Sequence, residues 1–184
     1  MGLGNPGPDY ATSRHNAGAA TVELLASRYG ERLKRSKEHA LVAEARVGDR
    51  RLALAFPQTY MNDSGRSVAP LVRRFGITDL ERLVIIHDEL DLPLGTIRVK
   101  AGGGLAGHNG LRSIKAHLHS DAFTRVRIGI GKPPGGKEQG ADHVLKAPSR
   151  RDRTELAVSV ELAADAVECI LIEGVPAAQN RFNG

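Results

Sequence analysis

Leu83-Val84-Ile85-Ile86-His87-Asp88-Glu89-Leu90-Asp91 is the stretch that decides the fold. Four apolar residues in unbroken succession mark a strand buried on both faces, because a solvated face would impose polar alternation. The run then ends in a histidine and three acids. In open α/β sheets the C-terminal end of a buried strand is where ligands bind. A carboxylate there can orient an imidazole and stabilise its protonated form. The plainer alternative is an acidic exit loop that is merely solvated. His87, Asp88, Glu89 and Asp91 also have metal-ligand chemistry, but an extended strand sends alternate side chains to opposite faces, so no metal site is expected.

The flanking segments alternate between helix and strand. Ala17 to Tyr29 carries Val22, Leu24, Leu25 and Tyr29 at mostly helical spacing and stops at Gly30. His39–Val47 and Arg51–Phe56 read as a hairpin about Gly48-Asp49-Arg50. Val68, Leu71, Val72 and Phe75 recur at helical intervals before Gly76. Thr96–Lys100 and the alternating Arg125–Ile130 read as strands, and Leu111–His119 as a helix. After Pro148 a long helix, Thr154–Glu173, lines up Leu156, Val160, Ala163, Val167 and Ile170 before Gly174. This order predicts one α/β domain over residues 1–184, a twisted mixed β-sheet flanked by helices. Met1-Gly2-Leu3-Gly4 runs straight into a loop where such a domain usually opens on an apolar strand. We therefore expect a truncated first strand, from a start upstream of residue 1 or a shortened chain.

Composition narrows the function classes. Among 184 residues 41% are hydrophobic and 26% charged, the usage of a globular rather than a disordered chain. No apolar run nears the ~20 residues of a membrane span, and no signal-peptide pattern opens the chain, so a cytoplasmic protein is expected. The single cysteine, Cys169, rules out an internal disulfide framework and a multi-cysteine zinc site. With 26 Lys+Arg against 21 Asp+Glu the net charge is +5, which suits a polyanionic partner as well as a solvated basic face. Aromatic residues are only 4% and Trp is absent, so a nucleic acid bound here would be held through its phosphates more than its bases.

Several loops carry chemistry. Gly2-Leu3-Gly4-Asn5-Pro6-Gly7 and Gly102-Gly103-Gly104-Leu105-Ala106-Gly107 both spell the dinucleotide pattern G-x-G-x-x-G. In the first, Pro6 and Pro8 prevent a helix from starting at once. The second lacks an acidic residue at the right distance, because Asp121 comes too early. Tight turns, or close backbone approach to a ligand, explain both loops better. His15 stands between polar neighbours just before a helix and titrates near neutrality, fitting either a cap or a general base. Asn5, Asn62 and Asn109 each lie in a glycine-bearing loop, and His108 precedes the last of them. An amide can hold a water and a carbonyl oxygen together, although each asparagine alone is an ordinary turn former.

Taken together, these segments resemble bacterial peptidyl-tRNA hydrolases. The match runs through Gly2-Leu3-Gly4-Asn5-Pro6-Gly7, Tyr10, Arg14-His15-Asn16-Ala17-Gly18, Thr59-Tyr60-Met61-Asn62-Asp63-Ser64-Gly65, His87-Asp88-Glu89-Leu90-Asp91-Leu92-Pro93, Gly107-His108-Asn109-Gly110-Leu111 and Arg125-Val126-Arg127-Ile128-Gly129-Ile130-Gly131. The resemblance implies a cytoplasmic, monomeric esterase, with no cofactor or metal, that frees tRNA from peptides after premature release from the ribosome. It implies that His15 is the base activating water, that Asp88 holds His15, and that Asn5 helps to distinguish N-blocked substrates. Tyr10, Tyr60, Met61, Asn62, His108 and Asn109 would form the substrate crevice, and Lys100 and Arg127 would hold the tRNA 5′-phosphate. The chain departs from the family pattern at Ser13 (usually Thr), at Leu105-Ala106 in the glycine loop and at Phe56, where Lys is frequent. The alternatives from other classes are a non-catalytic RNA-binding relative of the same fold and a nucleotide-binding protein using the late glycine loop.

Overall fold

A computed structural model of the chain describes residues 1–184 except for the side chain of Lys137. The apolar run forms strand β4 (Val84–Glu89), which extends through His87, Asp88 and Glu89. It does so because β6 (Thr124–Gly129) pairs alongside it in parallel, from Val84↔Thr124 to Glu89↔Gly129. Strand β5 (Ile97–Ala101) pairs antiparallel on the far side of β6, giving the order β4-β6-β5. The expected hairpin is β2 (Ala40–Val47) and β3 (Arg50–Pro57), closed by Gly48-Asp49 with Gly48 at φ 63°. A three-residue strand that the pattern did not announce, β1 (Lys34–Ser36), adds to the outer edge of β2.

The opening segment joins these two sheets. Leu3 N–H donates to Ile86 O at 3.0 Å, Ile86 N–H to Met1 O at 2.9 Å, and Gly2 N–H to Ala55 O at 2.9 Å. Its pairing with β4 is a single parallel bridge, Gly2↔Ile86. Through it the backbone bonding continues from β3 to β4, making one mixed surface.

Six α-helices clothe that surface: α1 (Ala17–Arg28), α2 (Gly65–Arg74), α3 (Asn109–Leu118), α4 (Gly140–Leu145), α5 (Arg150–Glu173) and α6 (Val175–Phe182). Ile86 packs in a core with Val22 and Leu25 of α1 and Ala163 and Val167 of α5, whereas Ile85 packs with Val68 of α2 and Ile114 of α3. Burial on both faces of β4 is what its apolar run demanded. Helix α1 lies directly on the backbone of β4, for a Cβ on Gly18 would come within 2.1 Å of Ile86 O. Helix α5 starts earlier than its apolar stripe indicates, because Ser149 caps it by accepting the Asp152 N–H at 3.2 Å. At the other edge of the sheet the Asn183 side chain imitates a strand. Its Oδ1 accepts the Val99 N–H at 2.7 Å and its Nδ2 donates to Val99 O at 2.8 Å.

Candidate active site

His15 lies in a 3₁₀ turn, Arg14–Asn16, that leads into α1. This entry sets the buried imidazole against the end of β4. There Asp88, 2% exposed, receives His15 Nδ1 at 2.9 Å on Oδ1 and 2.8 Å on Oδ2. A carboxylate only accepts, so Nδ1 carries the proton and Nε2 keeps its lone pair. Nε2 makes no hydrogen bond among the described residues. A second imidazole also serves Asp88, with His108 Nε2 2.9 Å from Oδ1. His108 Nδ1 accepts the amides of Gly110 at 3.1 Å and Leu111 at 3.3 Å, which fixes its proton on Nε2. One ring thus caps α3 and holds the carboxylate. Gly110 permits this packing, since a Cβ there would stand 2.6 Å from Met61 Sδ and 3.0 Å from His108 Cε1 and would force those side chains to shift.

Burial lowers the proton affinity of His15, but the charge and hydrogen bond of Asp88 outweigh it and leave the pKa above its ordinary 6.5. Burial would raise the Asp88 carboxyl, yet the two histidines hold it well below the usual carboxylate range. His87, the residue before it, turns the other way. It is 1% exposed, donates Nδ1–H to Asp88 O at 2.8 Å and leaves Nε2 without a partner. Burial, reinforced by neighbouring His108, pushes its pKa down to about 3, so the ring is neutral at pH 7. The buried states of His87, Asp88 and Glu89 replace the solvated exit loop entertained from the sequence.

Asn5 and Asn16 shape the adjoining wall. Asn16 Oδ1 accepts the Asn5 N–H and its Nδ2 donates to Asn5 O, both at 2.9 Å. Asn5 Oδ1 in turn accepts the Met61 N–H at 2.7 Å, tying the opening loop to the 3₁₀ turn Met61–Asp63. Met61 is buried, Tyr10 half-buried, and Tyr60 is 61% exposed. Asn62, in that same turn, and Asn109, the first residue of α3, are exposed and make no side-chain hydrogen bond among the described residues. Hydrogen bonding therefore gathers His15, Asp88 and His108 in one group, and Asn5 with Met61 in another. Tyr10, Tyr60, Asn62 and Asn109 stand on the flanking turns. Asn16 was not singled out for a role beforehand; an amide directly after His15 and before an apolar helix was the only signal available.

A cavity of about 260 Å³ lies beside this group, and Lys100, Arg125, Arg127, Glu89 and His87 line it. Arg127 is ion-paired with Glu89 at 2.6 Å. Arg125, a fully buried cation, reaches the carbonyls of Gly103, Gly104 and Asp121 and thereby holds the glycine loop over the cavity. The alternation of Arg125–Ile130 indicates a strand, but not that Arg125 is buried and grips this loop. The nucleotide reading of the loop loses its main support, because His108 already occupies the first amides of α3.

His15, Asp88 and His108 present ligand-type atoms within 4.8 Å of one another. This set differs from the acidic run at the end of β4. Their protonation pattern disfavours a cation, because His108 Nε2 and His15 Nδ1 spend their protons on Asp88 and offer it no lone pairs.

Comparison with known proteins gives a consistent result. The family model described as peptidyl-tRNA hydrolase matches residues 1–184. A peptidyl-tRNA hydrolase of Mycolicibacterium vanbaalenii is 50% identical over 181 residues, covering 98% of this chain and 93% of the relative. One from Leifsonia xyli subsp. xyli is 50% identical over 185 residues, covering 100% and 95%. The crystal structure of the peptidyl-tRNA hydrolase from Acinetobacter baumannii superposes with a TM-score of 0.93 at 42% identity, covering 100% of this chain and 92% of that one.

Proposed function

The chain belongs to the peptidyl-tRNA hydrolase family, and from that premise we propose that His15 is the base that turns water against the ester joining a peptide to the 3′ end of tRNA. Hydrolysis of that ester is the activity of the family; the roles of individual residues are our reading. The observation that carries it is the His15–Asp88 contact, which fixes Nδ1 and leaves Nε2 with a free lone pair in a buried ring. A positioned base contributes ~10²–10⁴-fold, and donors aligned on the developing oxyanion add a comparable factor. Nε2 takes the proton of a water held by the Asn109 amide, and amide donors bordering the crevice stabilise the tetrahedral oxygen. Asn5 meets the acylated amino group; Tyr10, Tyr60, Met61 and Asn62 border the remaining substrate. His108 acts here through Asp88 as well as at the substrate, which refines its expected role. The intact buried pair gives no support to a non-catalytic relative.

In the same reading Lys100 and Arg127 receive the 5′-phosphate in the cationic cavity. The protein acts in the cytoplasm as a monomer, which sedimentation of the purified chain checks. The decisive assay is release of N-acetyl-amino acid from charged tRNA. His15→Ala is expected to lose at least ~10²-fold in kcat; a rate near that of the unaltered protein rejects His15 as the base.

A further inference from the structure

We propose that His87 is a positioning residue for the hydrolysis, one whose ring fixes both the main chain of Asp88 and the imidazole that grips its carboxylate. The inference rests on the assignment of His15 and Asp88 given above. Two contacts carry it. His87 Nδ1–H donates to the carbonyl of Asp88 itself at 2.8 Å. The same ring meets His108 edge to face, with centroids 4.9 Å apart and planes at 67°. His108 is also in contact with the His15 ring at 5.2 Å and 45°. Asp88 is thus restrained at its backbone by His87 and at its side chain by a ring that His87 braces.

The residue type needs such an explanation. A buried imidazole with an unpaired nitrogen is destabilising, because the lost hydration of that nitrogen is not repaid, and Nε2 of His87 is of this kind. An aliphatic side chain would fill the space without that penalty, so the donor on Nδ1 and the ring edge are what distinguish histidine at this position. The charged and titratable groups around it are Asp88 and His108 on one side, and Lys100, Arg125, Arg127 and Glu89 around the cavity on the other. Burial first, then His108 and Arg125, keep the ring uncharged, so it does not compete with His15 and His108 for Asp88.

The test compares His87→Phe, which keeps an aromatic edge but no donor, with His87→Asn, which restores an N–H toward the Asp88 carbonyl. His87→Phe is expected to lower kcat about 10- to 100-fold, the effect of misplacing reacting groups by a fraction of an ångström to an ångström. KM should stay within about twofold, and the acidic limb of the pH–kcat profile should move to lower pH as His15 loses its hold on Asp88. His87→Asn should recover most of kcat and return the limb. A normal kcat in His87→Phe overturns the proposal. So does a raised KM with kcat intact, which would make His87 a cavity wall. So does a loss of activity and thermal stability with the limb unmoved and Asn no better than Phe. If His87→Phe does not accumulate folded, His87→Leu, which removes the donor and the ring edge together, takes its place, with the same fall in kcat and shift of the limb expected and a normal kcat overturning the proposal. His15→Ala is assayed alongside: activity surviving there defeats the base assignment and this inference with it, whereas an inactive His15→Ala beside a normal His87→Phe defeats this inference alone.

Discussion

Replacing Asp88 by Asn keeps the volume and one acceptor but removes the negative charge that faces His15. His15 must be neutral to take a proton, so kcat/KM rises with pH through its pKa. Asp88 holds that pKa above 6.5 against the opposing effect of burial. Asp88→Asn is therefore expected to move the acidic limb to lower pH while the plateau falls about 10²- to 10⁴-fold, through loss of the correct tautomer and orientation. A pH series of kcat/KM checks both. The same linkage bears on stability. The raised His15 contributes stability below the unfolded pKa near 6.5 and loses it as pH rises through the folded value. The depressed Asp88 contributes above its unfolded pKa and loses it as pH falls through the folded value. His15 and Asp88 were visible in the sequence because one precedes a helix and the other ends a buried strand, within a familiar set of motifs. The bond from His108 to Asp88 was not, because it depends on how α3 begins, and no spacing along the chain encodes that approach.

Helix α3 and the glycine loop before it show what local pattern can and cannot reveal. Ala106 stands where the loop needs the left-handed region, at φ 51°, and is exposed. An L-residue there costs about 1–2 kcal/mol, which glycine avoids. Ala106→Gly is expected to raise the unfolding free energy by about 1 kcal/mol, after allowing for the greater freedom of glycine in the unfolded chain. Urea denaturation measures it; an unchanged or lower midpoint would mean that the loop absorbs the strain elsewhere. The long elements were legible, because α1, α2 and β4 carry sustained periodicity or apolar runs. Strand β1, with only Lys34–Ser36, exists because β2 offers it an edge. Helix α6 exists because α5 and β5 give it a place to pack. Neither has enough apolar pattern of its own to announce itself.

Across the whole molecule, the sheet has to be closed at its edges and joined at its centre. Asn183 closes β5 by pairing with both polar groups of Val99. Asn183→Ala removes two hydrogen bonds and should cost about 1–2 kcal/mol, read from a denaturant or thermal midpoint, with kcat unaffected. The excess of positive charge predicts that substrate binding weakens steeply with salt. Lys100→Ala should lower the slope of log affinity against log salt by about 0.7–0.9, the value of one phosphate contact. Arg127→Ala should lower it less, because Glu89 already neutralises Arg127. Titrations of deacylated tRNA at several salt concentrations compare the two: an unchanged slope in both removes these residues from the phosphate site, and equal decreases mean that Glu89 does not neutralise Arg127 in the complex.

Strand β4 turns His87 and Glu89 toward the cationic cavity and Asp88 toward the His15 imidazole. The two stations are back to back on successive residues of one strand. Their separation is then a built-in gauge. On the proposed assignment of the two sites, a polynucleotide whose end-phosphate and acylated terminus are spaced too near or too far apart is expected to be rejected on length alone.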